Sequence, residues 1–209
     1  MYTLYFSPGT ASLPVHLALL ELGVAHDLKR VDLAGGEQNS AAYLALNPNA
    51  VVPTLLVDGK PVYESAAILI LLAERHPEAR LAPAPGTANR GLFLQWMLHF
   101  ANVVQPAFRI WFSPEKYAGA GAATAKDIAR RQIEGAFEQF DAFVAAHGPF
   151  ALGADLTVLD IYATMLMRWS RNMPKPATSW PALAALASRI KARPTWAKLY
   201  EIEGLTEWA

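Results

Sequence analysis

Glu64 and Ser65 stand side by side at the start of an apolar run, Ala66-Ala67-Ile68, directly after a short hairpin pattern. An acid and a hydroxyl at a helix start can hold an amino acid by both ends. The spacing predicts Ser65 as the N-cap, where its hydroxyl, the unpaired amides behind it and the positive end of the helix dipole suit a ligand carboxylate. Glu64 beside it suits a ligand ammonium. Upstream, Val51-Val52-Pro53-Thr54-Leu55 puts a proline at the entrance to the hairpin. A cis Val52–Pro53 bond there would turn the backbone groups of Val52 outward to pair with a peptide-like ligand. Together these residues predict a site for a small peptide with a free α-amino acid end.

Other chemistry-bearing residues keep two readings each. Ser12 precedes an apolar helix: it can serve as an ordinary N-cap, or it can donate to the sulfur of a bound thiol, which the helix terminus would favour as thiolate. Thr10 and Tyr5 are the neighbouring hydroxyls. Phe108, Trp111, Phe112, Met165 and Trp169 are either core or the lining of an apolar pocket. Thr157 and Asp160 form a Thr-x-x-Asp capping box whose helix start is expected in the core.

These residues need elements to position them. The first eighty residues alternate short apolar runs with helical patterns, the signature of βα units. Tyr2–Phe6 reads as a strand, Leu13–Leu22 as a helix ending at Gly23, and His26–Leu33 as a second strand parallel to the first. A shorter helix is expected over Ser40–Leu46. Thr54–Val57 and Pro61–Tyr63 flank the turn Asp58-Gly59-Lys60, and a helix from Ser65 to about His76 follows. Pro83-Ala84-Pro85-Gly86 reads as a linker. Beyond it, helices are predicted over Leu92–Phe112, Thr124–His147, Thr157–Ser170, Pro181–Arg193 and Thr195–Ile202. The fold class is therefore an α/β thioredoxin-like domain over 1–80 followed by an all-α domain over 87–209.

Composition narrows the function classes. With 209 residues and 53% hydrophobic content the chain can bury a sizeable core. Its eighteen basic and eighteen acidic residues cancel, which argues against nucleic acid or a membrane surface as partner. There is no cysteine, so neither a disulfide framework, a thiolate metal site nor thioredoxin-type disulfide exchange is open to it. No metal is expected. Met1 runs at once into a strand pattern, and a soluble cytoplasmic protein is the expectation.

The run Tyr5-Phe6-Ser7-Pro8-Gly9-Thr10-Ala11-Ser12-Leu13, the stretch Asn47-Pro48-Asn49-Ala50-Val51-Val52-Pro53-Thr54-Leu55, the Glu64-Ser65 pair and Thr157-Val158-Leu159-Asp160 occur in the order and at the spacing of the glutathione S-transferase family. The chain resembles that family over nearly its whole length, and its first loop is most similar to the bacterial beta class. The resemblance implies a transferase, detoxifying in role, that joins the thiolate of glutathione to small hydrophobic electrophiles in a cleft between the domains. Glutathione would be a co-substrate, with no other cofactor. Ser12 would be the catalytic hydroxyl. Val52, Glu64, Ser65, Gln38, Gln105 and Asn102 would bind glutathione, and Thr10, Phe108, Phe112 and Trp169 would line the electrophile pocket. A homodimer is implied, with Asn102 contributed across it.

The chain departs from the beta pattern at three places. Ala11 stands where those enzymes usually carry cysteine, so no mixed disulfide can form there. Gly35-Gly36-Glu37-Gln38 offers no cation for the glycine carboxylate of glutathione, leaving Gln38 as a donor. Gln105 stands where a histidine often faces the thiol. The alternatives implied are a glutathione-dependent reductase, peroxidase or isomerase, and a low-turnover carrier of glutathione or hydrophobic ligands.

Overall fold

The computed structural model describes residues 1–208, which form two compact units. The first unit comprises Met1–Leu81 and takes in the chain again from Lys191 onward; the second is Ala82–Ile190.

In the first unit, β1 (Tyr2–Phe6), α1 (Leu13–Leu22) and β2 (His26–Arg30) form a strand–helix–strand unit with β1 and β2 parallel. A helix one turn long, α2 (Ala41–Leu44), precedes β3 (Thr54–Val57), β4 (Lys60–Tyr63) and α3 (Ser65–Arg75). The sheet order is β2-β1-β3-β4, with β3 antiparallel to both neighbours. Asp58 and Gly59, at φ 51° and 83°, make the two-residue turn of the β3–β4 hairpin, the geometry that matches strand twist. Residues Leu13 to Leu19 of α1 are all buried, as expected of a helix covered on every side; it packs against α3.

β2 ends at Arg30 rather than continuing to Leu33. Val31 still donates to the Phe6 carbonyl at 2.8 Å, but the Asp32 amide is taken by the Glu37 carboxylate at 2.7 Å, which turns the chain out of the ladder. α2 is likewise shorter than Ser40–Leu46, with Ser40 Oγ capping the Tyr43 amide at 3.2 Å.

The second unit is helical: α4 (Asn89–His99), α5 (Gln105–Phe112), α6 (Pro114–Ala118), α7 (Ala122–His147), α8 (Val158–Trp169) and α9 (Pro181–Lys191). The helix expected to run unbroken over 92–112 is interrupted by a π turn at Phe100–Val104. Pro106 explains it, because proline supplies no amide and its ring crowds the carbonyl four residues back, so the backbone widens by one residue. Phe93, Phe100, Phe108, Phe137, Phe140 and Tyr162 are fully buried and form the centre of this unit.

The C-terminal helix α10 (Pro194–Glu203) belongs to the first unit, not to the helical one as the domain reading of 87–209 has it. The physical reason is local: Arg193 grips Glu21 of α1 through two bonds of 2.7 and 2.6 Å, and α10 packs along α1. Among the described residues no helix is long and apolar enough to cross a membrane.

Candidate functional site

The sheet register brings the predicted binding residues to one end of the first unit. Thr54 pairs with Tyr63, so Val52 and Glu64 leave the hairpin at the same end; Tyr5 pairs with Thr54, so the loop after β1 opens there too.

Glu64, not Ser65, is the residue flanking α3, and Ser65 is its first helical residue. Glu64 has φ 73° and ψ 114°, a conformation that costs a non-glycine residue about 1–3 kcal/mol and is held only where the surroundings impose it. Its carboxylate is exposed and makes no hydrogen bond or ion pair among the described residues. No side chain caps the helix, and the first backbone bond is that of Ile68 to the Glu64 carbonyl. The amides of Ser65, Ala66 and Ala67 are thus left without helical partners. Ser65 itself is buried, and its hydroxyl donates to the Ala11 carbonyl at 2.8 Å. A ligand carboxylate would meet the Ser65 amide first, with the hydroxyl free to swing only if Ala11 gives it up.

Val52 follows from a buried polar network. Asn47, fully buried, donates to the Val51 carbonyl at 2.8 Å and to Thr54 Oγ1 at 3.2 Å, and Tyr43 donates to the same carbonyl at 2.8 Å. Burial pushes the Tyr43 phenol above its usual range, so it stays a donor. This network clamps the residues on both sides of Val52, whose peptide to Pro53 is cis. The Val52 side chain is buried with Val31 and Tyr43. Its own amide and carbonyl have no hydrogen-bond partner among the described residues.

The first loop holds the hydroxyls. Ser12 flanks α1 with a helical backbone but does not cap it. Its hydroxyl is 0% exposed and lies 3.0 Å from both the Ser7 carbonyl and Thr10 Oγ1, while accepting the Ser7 amide at 3.2 Å. The expectation that Ser12 presents its hydroxyl directly to a ligand therefore does not match its placement: it is turned into the loop. Thr10 is half-buried and donates to the Ser7 carbonyl at 2.7 Å. Tyr5 packs edge-on to Tyr43 and lies within 3.4 Å of Lys29 Nζ.

Sequence reasoning missed what braces this loop. Glu203, at the end of α10, accepts the Gly9 amide at 2.8 Å and bonds His16 Nδ1 at 2.8 Å, both side chains being wholly buried. The one signal available was a lone histidine four residues after Ser12 inside an apolar run; nothing near residue 203 announces a partner so far away in the chain.

Gln38 donates to the Leu33 carbonyl at 3.3 Å, so its amide stabilises its own loop. Five predicted residues lie in the second unit. Gln105 is buried and accepts a hydrogen bond from the Tyr162 hydroxyl. Asn102 is exposed in the π turn. Phe108 is fully buried against Phe112, Trp169 and Phe137, which makes it core rather than lining. Phe112, 53% exposed, and half-buried Trp169 meet at 5.8 Å and offer an open aromatic face. Among the described residues no three histidine, cysteine or carboxylate side chains gather as a metal site would require.

Comparison with known proteins gives the family of both parts of the chain. Residues 10–75 match the glutathione S-transferase N-terminal domain, and residues 102–201 match the glutathione S-transferase C-terminal domain. A glutathione S-transferase of Escherichia coli O157:H7 is 28% identical over 208 residues, covering 97% of this chain and 98% of that protein. The solved structure of a bacterial beta class glutathione S-transferase from Sphingomonas chungbukensis is 30% identical, with a TM-score of 0.82 over 98% of this chain and 100% of its own. A glutathione transferase homologue from Sulfitobacter, solved with bound glutathione, is 26% identical, with a TM-score of 0.89 over 98% and 99% of the two chains.

Proposed function

The chain belongs to the glutathione S-transferase family, and from that membership we propose that it is a glutathione transferase joining the glutathione thiolate to small hydrophobic electrophiles. The observation that carries this reading is the start of α3, where a strained, exposed, unpartnered Glu64 stands beside uncapped amides. Glu64 takes the ammonium of the γ-glutamyl group, and the amides of Ser65 and Ala66 take its carboxylate with the help of the helix dipole. The open amide and carbonyl of Val52 take the cysteinyl backbone as a short added strand would.

That anchoring directs the thiol toward the loop Ser7–Ser12 at the head of α1. A thiol of ordinary pKa, about 8.5, is mostly protonated at neutral pH, and the thiolate is the nucleophile. Hydroxyl donors and the helix terminus favour the charged form and so raise the reactive fraction. Phe112 and Trp169 offer the aromatic surface that an apolar electrophile requires. With Ala11 where a cysteine could stand, covalent exchange between protein and glutathione has no acceptor, which favours conjugation over disulfide reduction.

A cytoplasmic, detoxifying role and a homodimer are part of the proposal, with Asn102 offered by a second copy of the chain; light scattering at micromolar concentration tests the assembly. Turnover of a chloronitrobenzene with glutathione tests the reaction. Saturable conjugation is expected, and hydroperoxide reduction or ligand binding without conjugation would overturn the reading.

A further inference from the structure

Two contacts set the register of α5 against α8 in the second unit. The Tyr162 hydroxyl donates to Gln105 Oε1, and one residue beyond the second turn of each helix Trp169 packs edge-on against Phe112. The two helices therefore run side by side in the same direction. Helical spacing puts Gln105, Arg109 and Phe112 on one stripe of α5. Because Gln105 Oε1 is already taken, the side chain has its amide nitrogen left to give, and Nε2 has no hydrogen-bond partner among the described residues. Arg109 is exposed, and its guanidinium makes no hydrogen bond, ion pair or ring contact among the described residues. Phe112 is exposed beside half-buried Trp169.

The elements around this stripe supply no counter-charge to Arg109. α5 has no acid, and Asp160, the acid of α8, is buried at that helix's start with its oxygens bonded to Ala151 and Thr157. On α7, which packs along α5, Asp127 and Glu134 are both bonded by Arg130. α6 carries Glu115 and Lys116 together and adds no net charge. An open aromatic face edged by an unpaired guanidinium and an amide donor one turn apart is complementary to a flat apolar ring that bears an acceptor group. An anionic group gains most, since the planar fork of arginine fits a carboxylate.

We propose that this stripe selects aromatic electrophiles that carry a carboxylate or similar anionic group, the ring lying on Phe112 and Trp169 and the anion on Arg109 and the Gln105 amide; this rests on the transferase reading of the chain. With a chloronitrobenzoate, the glutathione sulfur bonds to the ring carbon that bears chlorine, chloride leaves with the bonding pair, and the thiol proton goes to solvent.

The test compares kcat/KM for a chloronitrobenzoate with that for the matching uncharged chloronitrobenzamide, each divided by its uncatalysed rate constant with glutathione, in the parent, Arg109→Gln, Arg109→Glu and Gln105→Met. The ratio of benzoate to benzamide is expected to exceed one in the parent at low salt. It should fall about three- to fivefold in Arg109→Gln and by a similar factor again in Arg109→Glu. Arg109 is exposed, so raising the salt from about 0.01 to 0.15 M should lower the ratio in the parent and raise it in Arg109→Glu. Gln105→Met removes the neutral donor and should lower the ratio by a smaller factor, with the salt dependence retained. One ratio common to the parent, Arg109→Gln and Arg109→Glu, or a parent that prefers the benzamide at low salt, overturns the assignment while conjugation of both compounds keeps the transferase reading. A parent that conjugates neither of them, nor a chloronitrobenzene, overturns both.

Discussion

Two helices of this protein begin with a hydroxyl and an acid close together, and they use them in opposite ways. At the start of α8, Thr157 and Asp160 are buried, and one carboxylate takes the Ala151 amide at 2.7 Å and the Thr157 amide and hydroxyl each at 2.8 Å. Both side chains there are bonded within the protein. At the start of α3, Glu64 makes no such bond, its backbone is strained, and the helix has no side-chain cap. A completed cap contributes to folding; an incomplete one, held in place by its surroundings, is available to a ligand. The same residue types thus mean structure or recognition according to whether their bonds are already made.

If that contrast is right, the heaviest stability loss should come from the α8 start. Asp160→Ala strands three buried donors and should cost about 3–5 kcal/mol of unfolding free energy in denaturant melts, while folded variant protein binds glutathione as the parent does. A variant of unchanged stability would remove the distinction.

The pH dependence sharpens it. Burial pushes the Asp160 carboxyl from an ordinary 3.8 up to about 6, desolvation outweighing the hydrogen bonds that favour the anion. The folded chain then holds this proton more tightly than the unfolded chain. Its contribution is present in full below about pH 4 and is lost as pH rises through about 6, by at most about 3 kcal/mol. Melts across this range should show the stability advantage of the parent over Asp160→Asn shrinking as pH rises, and an advantage that grows instead would reverse the sign assigned here. Removing only the hydroxyl, in Thr157→Ala, should cost about 0.5–2 kcal/mol, with the KM for glutathione unmoved.

The smallest effect should have the opposite sign. Glu64→Gly relieves the positive φ and should raise stability by about 0.5–1 kcal/mol while weakening glutathione binding. A variant that loses both would mean that Glu64 is part of the fold's support.

The sequence made much of this legible where the signal is local. The Asp58-Gly59 turn, the Pro53 entrance, the Gly23 stop and the Thr157-x-x-Asp160 box each sit where short-range chemistry predicts. What it did not reveal was long-range or a matter of orientation. Nothing local shows that α10 returns to α1, because that packing joins Glu203 to His16 across most of the chain. Nor could composition tell that Ser12 turns inward and Thr10 stands half-exposed, or that Phe108 is core while Phe112 is open, since both pairs share residue type and helical or loop position. The shift of the α3 flank from Ser65 to Glu64 is a one-residue difference with a chemical consequence: it puts the acid in the strained position and the hydroxyl under the loop that carries Thr10.

The central claim is that the unfinished start of α3 holds the γ-glutamyl end of glutathione. Calorimetric titration of parent and Glu64→Gln with glutathione, and with a glutathione lacking the α-amino group, tests it most directly. A charge-assisted bond lost should weaken glutathione by roughly 1–3 kcal/mol, about five- to 150-fold, while the deaminated ligand binds parent and variant alike. Equal glutathione affinity in parent and Glu64→Gln would contradict the account.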